Sequence, residues 1–260
     1  MIYITGDSHG YESKFANFYA DDKSGVKNNY MKGESEWGSN DKVIICGDFS
    51  YIWYDDSFPE LKSYDDFVLD VLENKPYEIL FVDGNHENFD ELYKYPEVIR
   101  YGDKVHKIRE NIYHLERGRV YTIEGKKFFT FGGGYSLDKE ERNGKGLNYD
   151  PNEPPSWWEQ EMPKKEEYER GMEALKSVNF KVDYIVTHTA PTLLIKDWIM
   201  RKPFIARDMK MVPEDETLRN YLDIIWGVVQ FKRWFFGHWH IDEDISERAR
   251  ALLNDVEAIP

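Results

Sequence analysis

One shape recurs along this chain and restricts its fold more than any other feature: a short apolar run that stops at a polar turn. Residues 1–5 lead into Gly6-Asp7-Ser8-His9-Gly10, residues 42–46 into Gly47-Asp48-Phe49, and residues 79–82 into Asp83-Gly84-Asn85-His86-Glu87. Residues 128–131 lead into Gly132-Gly133-Gly134-Tyr135-Ser136, residues 184–187 into His188-Thr189-Ala190-Pro191, and residues 234–236 into Gly237-His238-Trp239-His240. Runs this short, rich in β-branched and aromatic residues and bounded by turn signals, read as buried strands.

Helical spacing fills several of the intervals. Residues 65–73 place Phe67, Val68, Val71 and Leu72 on one side, residues 164–178 intersperse Tyr168, Met172, Ala174 and Leu175 among charges, and residues 217–229 carry Leu218, Tyr221, Leu222, Ile225 and Trp226. Strands alternating with helices predict an α/β fold, in which ligands gather at the carboxyl ends of the strands. Two stretches break the rhythm. Residues 137–163 form a long polar excursion with Asn152, Pro154, Pro155, Trp157 and Trp158, read as a lid over the strand ends, and residues 190–216 form a second, irregular insertion with Pro191, Pro203 and Pro213. Ligand-type residues flank both, so all 260 residues are read as one domain.

Charge and cysteine content narrow the chemistry. With 34 basic and 49 acidic residues the net charge is −15, which disfavours nucleic acid, whose binding rewards clustered Lys and Arg. The single cysteine, Cys46, excludes an intramolecular disulfide framework and any Cys-rich zinc site. No apolar run approaches the ~20 residues a membrane helix needs, and no signal peptide is read, so the expected compartment is the cytoplasm.

Of the seven histidines, five occupy the strand-end turns: His9, His86, His188, His238 and His240. Asp7, Asp48 and Asn85 join them there. Imidazole and carboxylate without thiolate suit manganese, iron, zinc or cobalt, and these eight donors exceed what one ion needs. They suffice for two ions sharing a carboxylate, an arrangement that clamps phosphate and generates hydroxide at neutral pH. In Asp7-x-His9 and His238-x-His240, alternation along an extended chain would put both donors on one side. His106 and His114 have no such context and are expected to be structural or exposed.

In order, Asp7-x-His9, Gly47-Asp48, Gly84-Asn85-His86-Glu87, His188 and Gly237-His238-x-His240 resemble the motifs of the calcineurin-like metallophosphoesterase superfamily, across positions 7–240. The resemblance implies a four-layer α/β/β/α sandwich, with two central mixed sheets and the metal site at the strand ends. It implies that Asp7, His9 and His240 bind a first divalent ion, that Asn85, His188 and His238 bind a second, and that Asp48 bridges both. Manganese is the first expectation, with iron, zinc, nickel or cobalt also compatible. His86 would be catalytic without being a ligand, facing the phosphate while a bridging hydroxide attacks phosphorus in line.

Departures from the superfamily pattern narrow the subgroup. Protein serine/threonine phosphatases carry an arginine soon after Gly-Asp and another before Gly-Asn-His; here the first stretch is Phe49-Ser50-Tyr51-Ile52-Trp53 and the second position is Asp83. The turn 132–136, with Asp138, Arg142 and Trp157-Trp158-x-x-Glu161, is similar to a group of small bacterial metallophosphoesterases. Arg142 and Tyr135 are candidate substrate contacts, since a guanidinium fork matches phosphate oxygens. The expected activity is hydrolysis of a small phosphomonoester or phosphodiester. A nuclease of the same superfamily is one alternative, and a non-enzymatic scaffold is another, though scaffolds of this type lose ligands that this chain retains.

Overall fold

A computed structural model describes residues 1–10, 14, 15, 31, 33–144, 156–202 and 212–260. The strands are β1 (Ile2–Thr5), β2 (Lys42–Ile45), β3 (Glu78–Phe81), β4 (Glu97–Arg100), β5 (Asp103–Arg109), β6 (Ile112–Leu115), β7 (Arg119–Ile123), β8 (Lys126–Phe131), β9 (Tyr184–Thr187), β10 (Arg233–Phe236), β11 (Glu243–Ser246), β12 (Ala249–Ala251) and β13 (Val256–Ile259). The helices are α1 (Pro59–Glu73), α2 (Phe89–Leu92), α3 (Lys139–Arg142), α4 (Lys165–Ser177), α5 (Thr192–Arg201) and α6 (Glu216–Val228).

Two mixed sheets form. The first runs β13-β1-β2-β3-β6-β5-β4 and the second β11-β12-β10-β9-β8-β7. Strands β1, β2, β3 and β6 run parallel to one another, as do β12, β10, β9 and β8; antiparallel strands close the edges. Six of these strands, β1, β2, β3, β8, β9 and β10, contain the apolar runs recognised in the sequence, because a strand covered on both faces is apolar nearly throughout.

Side-chain alternation along those strands builds the layers. In the first sheet Val43, Ile45, Ile79 and Phe81 point outward onto Val68, Leu69 and Leu72 of α1. Ile44, Cys46, Leu80 and Val82 point the other way and meet Phe128, Val186 and Phe235 of the second sheet. That sheet's opposite residues, Phe129, Phe131, Ile185, Trp234 and Phe236, pack under Leu175 of α4, Ile195 and Trp198 of α5, and Leu218 and Leu222 of α6. Helix, sheet, sheet and helix thus stack as four layers, the expected sandwich.

Three expectations need revision. The first helix begins at Pro59 rather than 65, with proline at its first turn, where a missing N–H costs nothing. The 190–216 insertion is not irregular throughout: Thr192–Arg201 forms α5, whose Leu194, Ile195 and Trp198 are buried. Residues 203–211 of that stretch, including Pro203, lie outside the described residues, as do residues 145–155 of the 137–163 excursion. Strands β4 to β7, and β11 to β13, were not foreseen. Most are short and charged, such as Glu97-Val98-Ile99-Arg100, and flank the sheet centres, where one face or one edge is wet and apolar patterning fades; β6 is buried throughout but is interrupted by His114 and ends on Glu116-Arg117 rather than on a glycine turn.

Candidate metal centre

The turns that follow β1, β2, β3, β9 and β10 converge at one end of the sandwich. Asp7, Asp48, Asn85 and His188 are buried there, while His9, His86 and His238 are partly buried and His240 is exposed. Nitrogen and oxygen atoms of Asp7, His9 and His240 lie close enough together to hold a metal ion, as do those of Asp7, Asp48 and His188. On the other side, Asn85 Oδ1 sits 2.9 Å from both His188 Nε2 and His238 Nδ1.

Asp48 stands between the two groups. Its Oδ2 faces His9 Nδ1 at 3.7 Å and its Oδ1 faces His188 Nε2 at 3.4 Å. Asp7 faces His240 Nε2 at 3.5 Å, and the ring nitrogens His9 Nε2 and His240 Nε2 are 2.9 Å apart. His188 is oriented by its other nitrogen, Nδ1, which donates to Cys46 O at 2.8 Å. A histidine held through one nitrogen presents the other to a ligand, the usual arrangement around metals. The donor set is oxygen and imidazole nitrogen only, which fits hard to borderline divalent ions.

The convergence arises differently from what Asp-x-His alternation suggests. His9 (φ 49), Asp48 (φ 48), His238 (φ 64) and His240 (φ 48) all adopt left-handed backbone. The chain has passed the strand end and curls back, so local turns, not strand alternation, aim these side chains. Four of the nine such non-glycine residues among those described are candidate ligands. Each such conformation costs on the order of 1–3 kcal/mol and persists where the surroundings over-determine it.

Several contacts do that work. Lys14 Nζ, buried, donates to the carbonyls of Gly6 (3.1 Å) and Asp7 (2.9 Å). Glu87 accepts from Phe49 N (2.6 Å) on one oxygen and from Ser50 N (3.0 Å) on the other, clamping the turn that carries Asp48. Gly84 passes so close to Asp48 that a β-carbon there would lie 2.0 Å from Oδ1.

Burial shapes the charges. It lowers His9 to about 4 and His238 to about 3, so both rings are neutral and able to ligate at physiological pH. Burial also raises Asp7 to about 7. For Asp48 burial acts in the same upward sense, but His188, His86 and His9 outweigh it and hold the carboxyl below its usual range.

The structure also shows what the 132–161 motif touches. Asn85 Nδ2 donates to Ser136 Oγ at 3.1 Å, and Ser136 Oγ donates to Glu161 Oε2 at 2.6 Å. With its NH2 so engaged, Asn85 turns its oxygen toward His188 and His238. Arg142 does not line the neighbouring cavity. Its guanidinium is buried and donates to Ser136 Oγ, Asn85 O and Ser156 O, so it braces the turn instead of offering a free fork.

That cavity, of about 290 Å³, opens over Asp48, Asn85, His238 and His240, with His86 and Tyr135 in its wall. The His86 ring lies edge-on to His9 at 5.2 Å. Asp138, already part of the 132–161 motif, and the buried Asp215, which no sequence motif marks, also line it. Trp157 and Trp158 do not: Lys139 Nζ lies 4.1 Å from the Trp157 ring, and Trp158 packs edge-on against Trp53.

The sequence model of the calcineurin-like phosphoesterase family matches residues 1–242. The chain belongs to that family. Its members are metal-dependent phosphoesterases, which agrees with a donor set able to hold divalent ions. No curated protein matches the chain significantly. Among the described residues, no helix is long and apolar enough to cross a membrane.

Proposed function

We propose that this chain is a dinuclear-metal-dependent hydrolase of a small phosphomonoester or phosphodiester. The observation that carries the reading is the position of Asp48, whose two oxygens face histidines from two different donor groups. In this reading Asp7, His9 and His240 hold one ion, Asn85, His188 and His238 hold the other, and Asp48 is shared. Manganese is the first choice; iron, zinc, nickel and cobalt suit the same donors. Two such ions, when bound, activate water and neutralise phosphate oxygens.

The remaining steps belong to the protein. His86 lines the cavity beside the donors and is anchored through its backbone N–H, which donates to Asp48 Oδ1 at 2.7 Å. Its ring is placed to stabilise charge on the phosphate and to give a proton to the leaving oxygen. Tyr135 stands in the same wall and contacts the part of the substrate beyond phosphorus. The modest cavity and the net charge of −15 favour a small phosphorylated substrate over nucleic acid.

The test is hydrolysis of an aryl phosphomonoester and the matching diester by metal-stripped protein refilled with manganese. Manganese-dependent turnover is expected, and replacing His86 with Ala should lower its rate while leaving metal content intact. Absence of turnover on both esters with two ions bound refutes the reading.

A further inference from the structure

The two histidines outside the motifs are neither exposed nor idle. His106 on β5 and His114 on β6 are buried and stacked, ring centroids 5.3 Å apart. His114 Nε2 lies 3.0 Å from Asp83 Oδ1, and His114 Nδ1 lies 3.1 Å from His106 Nδ1. The Asp83 carboxylate can only accept, so it takes the Nε2 proton of His114. Taken as the single proton of the His114 ring, that proton leaves Nδ1 as an acceptor, to which His106 donates from its own Nδ1. This leaves His106 Nε2 with a lone pair and no proton. Burial lowers His106 to about 4, consistent with a neutral ring.

His106 opens onto a second cavity, of about 380 Å³, distinct from the one over Asp48. Glu97, directly across the antiparallel pair β4–β5 from His106, and Glu116, just after β6, line it as well. One ligand atom from each of the three lies within 4.8 Å of the other two. Arg119 engages Oε2 of Glu116 at 2.7 Å, but Oε1 is buried and accepts no hydrogen bond, in a residue only 7% exposed. A buried carboxylate oxygen with no partner is costly and calls for an occupant. Lys104, which pairs with Glu97 at 2.5 Å, is about half exposed and free to swing into water.

We propose that Glu97, His106 and Glu116 form a further divalent-cation site, separate from the strand-end centre. One imidazole and two carboxylates suit a first-row ion such as zinc or manganese. The His106 Nδ1–H bond to His114, relayed to Asp83, is the outer support such a ligand normally carries. Asp83 is two residues from Asn85, so an ion here would be joined through one short relay to the segment that supplies the other centre.

Zinc is the probe. Metal-stripped full-length protein is dialysed against buffered zinc, and bound metal is counted for wild type, His106→Phe and Glu97→Ala. Phenylalanine keeps the ring stack, and Glu97 is exposed, so its loss leaves folding unaffected. Reading by difference makes the result independent of how many ions the strand-end site takes. Both variants are expected to hold one equivalent less than wild type, or to bind it more than about tenfold more weakly, since even outer-shell losses cost 10–100-fold. Retention of the full zinc complement at unchanged affinity by either variant overturns the proposal.

Discussion

Ser136→Ala is the most informative small change in this protein. The hydroxyl removed is buried and serves three neighbours: it accepts from Asn85 Nδ2 at 3.1 Å and from the Arg142 guanidinium, and donates to Glu161 Oε2 at 2.6 Å. Alanine leaves the Asn85 NH2 and Glu161 Oε2 short of a partner in a buried setting, while Arg142 keeps the carbonyls of Asn85 and Ser156. At about 1–3 kcal/mol for each of the two stranded polar groups, the metal-free protein should lose roughly 2–6 kcal/mol. Independently, Asn85 is no longer told which way to turn its amide. With the amide reversed, NH2 in place of the oxygen would face His188 and His238, and a metal ion cannot bind there. Loss of an outer support typically weakens metal affinity 10–100-fold, or about 1.4–2.8 kcal/mol. The two effects separate experimentally: denaturant unfolding in chelator reads the first, and competition with a metal indicator reads the second. A variant that is destabilised yet binds metal as wild type does would refute the orienting role of Ser136.

Other consequences follow from the same contacts. Glu87→Gln supplies one acceptor where Phe49 N and Ser50 N need two, so it should cost about 2 kcal/mol in denaturant unfolding and depress turnover through the displaced Asp48 turn. Arg117→Met strands Asp83 in a buried site and should destabilise by about 3–5 kcal/mol. Arg117 and His114 outweigh burial and hold the Asp83 carboxyl below its ordinary range. Its contribution is therefore complete above the unfolded value of about 4 and is lost only as pH falls through the depressed native one. Acid unfolding followed by circular dichroism should thus occur at a higher pH in the variant than in wild type. Chelation should release the strained ligand turns: if free metal normally stands near 1,000 times its dissociation constant, stability falls by about 4 kcal/mol, or roughly 10 °C in melting temperature. An unchanged melting temperature in chelator would contradict a tightly bound centre.

The sandwich was legible in the sequence because most strands of its two parallel centres hold short apolar runs, each ended by a turn too polar to continue the strand. Residues such as Ile44 and Ile45 must face opposite layers, so a run apolar at every position already implies cover on both faces. The edge strands lacked that signature. The candidate ligands were legible for a related reason: histidine, aspartate and asparagine at strand ends gather wherever the strands gather. What sequence could not supply was aim. The left-handed backbone at Asp48 and His238 is held by partners distant in the chain: Glu87 accepts from Phe49 N beside Asp48, and Asp7 accepts from His238 N. Arg142 illustrates the same limit. Its composition suited a phosphate contact, but only the folded chain shows its guanidinium turned inward onto Asn85 and Ser136. His106 and His114 had no motif, and their relay exists only because β5 and β6 pair in register.

The central claim is that one carboxylate, Asp48, is shared by two ions. Crystals of the metal-stripped protein soaked in manganese, with anomalous diffraction recorded at the manganese edge, test it directly. Two anomalous peaks about 3.5–4 Å apart, on either side of Asp48, are expected. A single peak in that region, or two peaks that leave Asp48 bound to only one of them, would contradict the account.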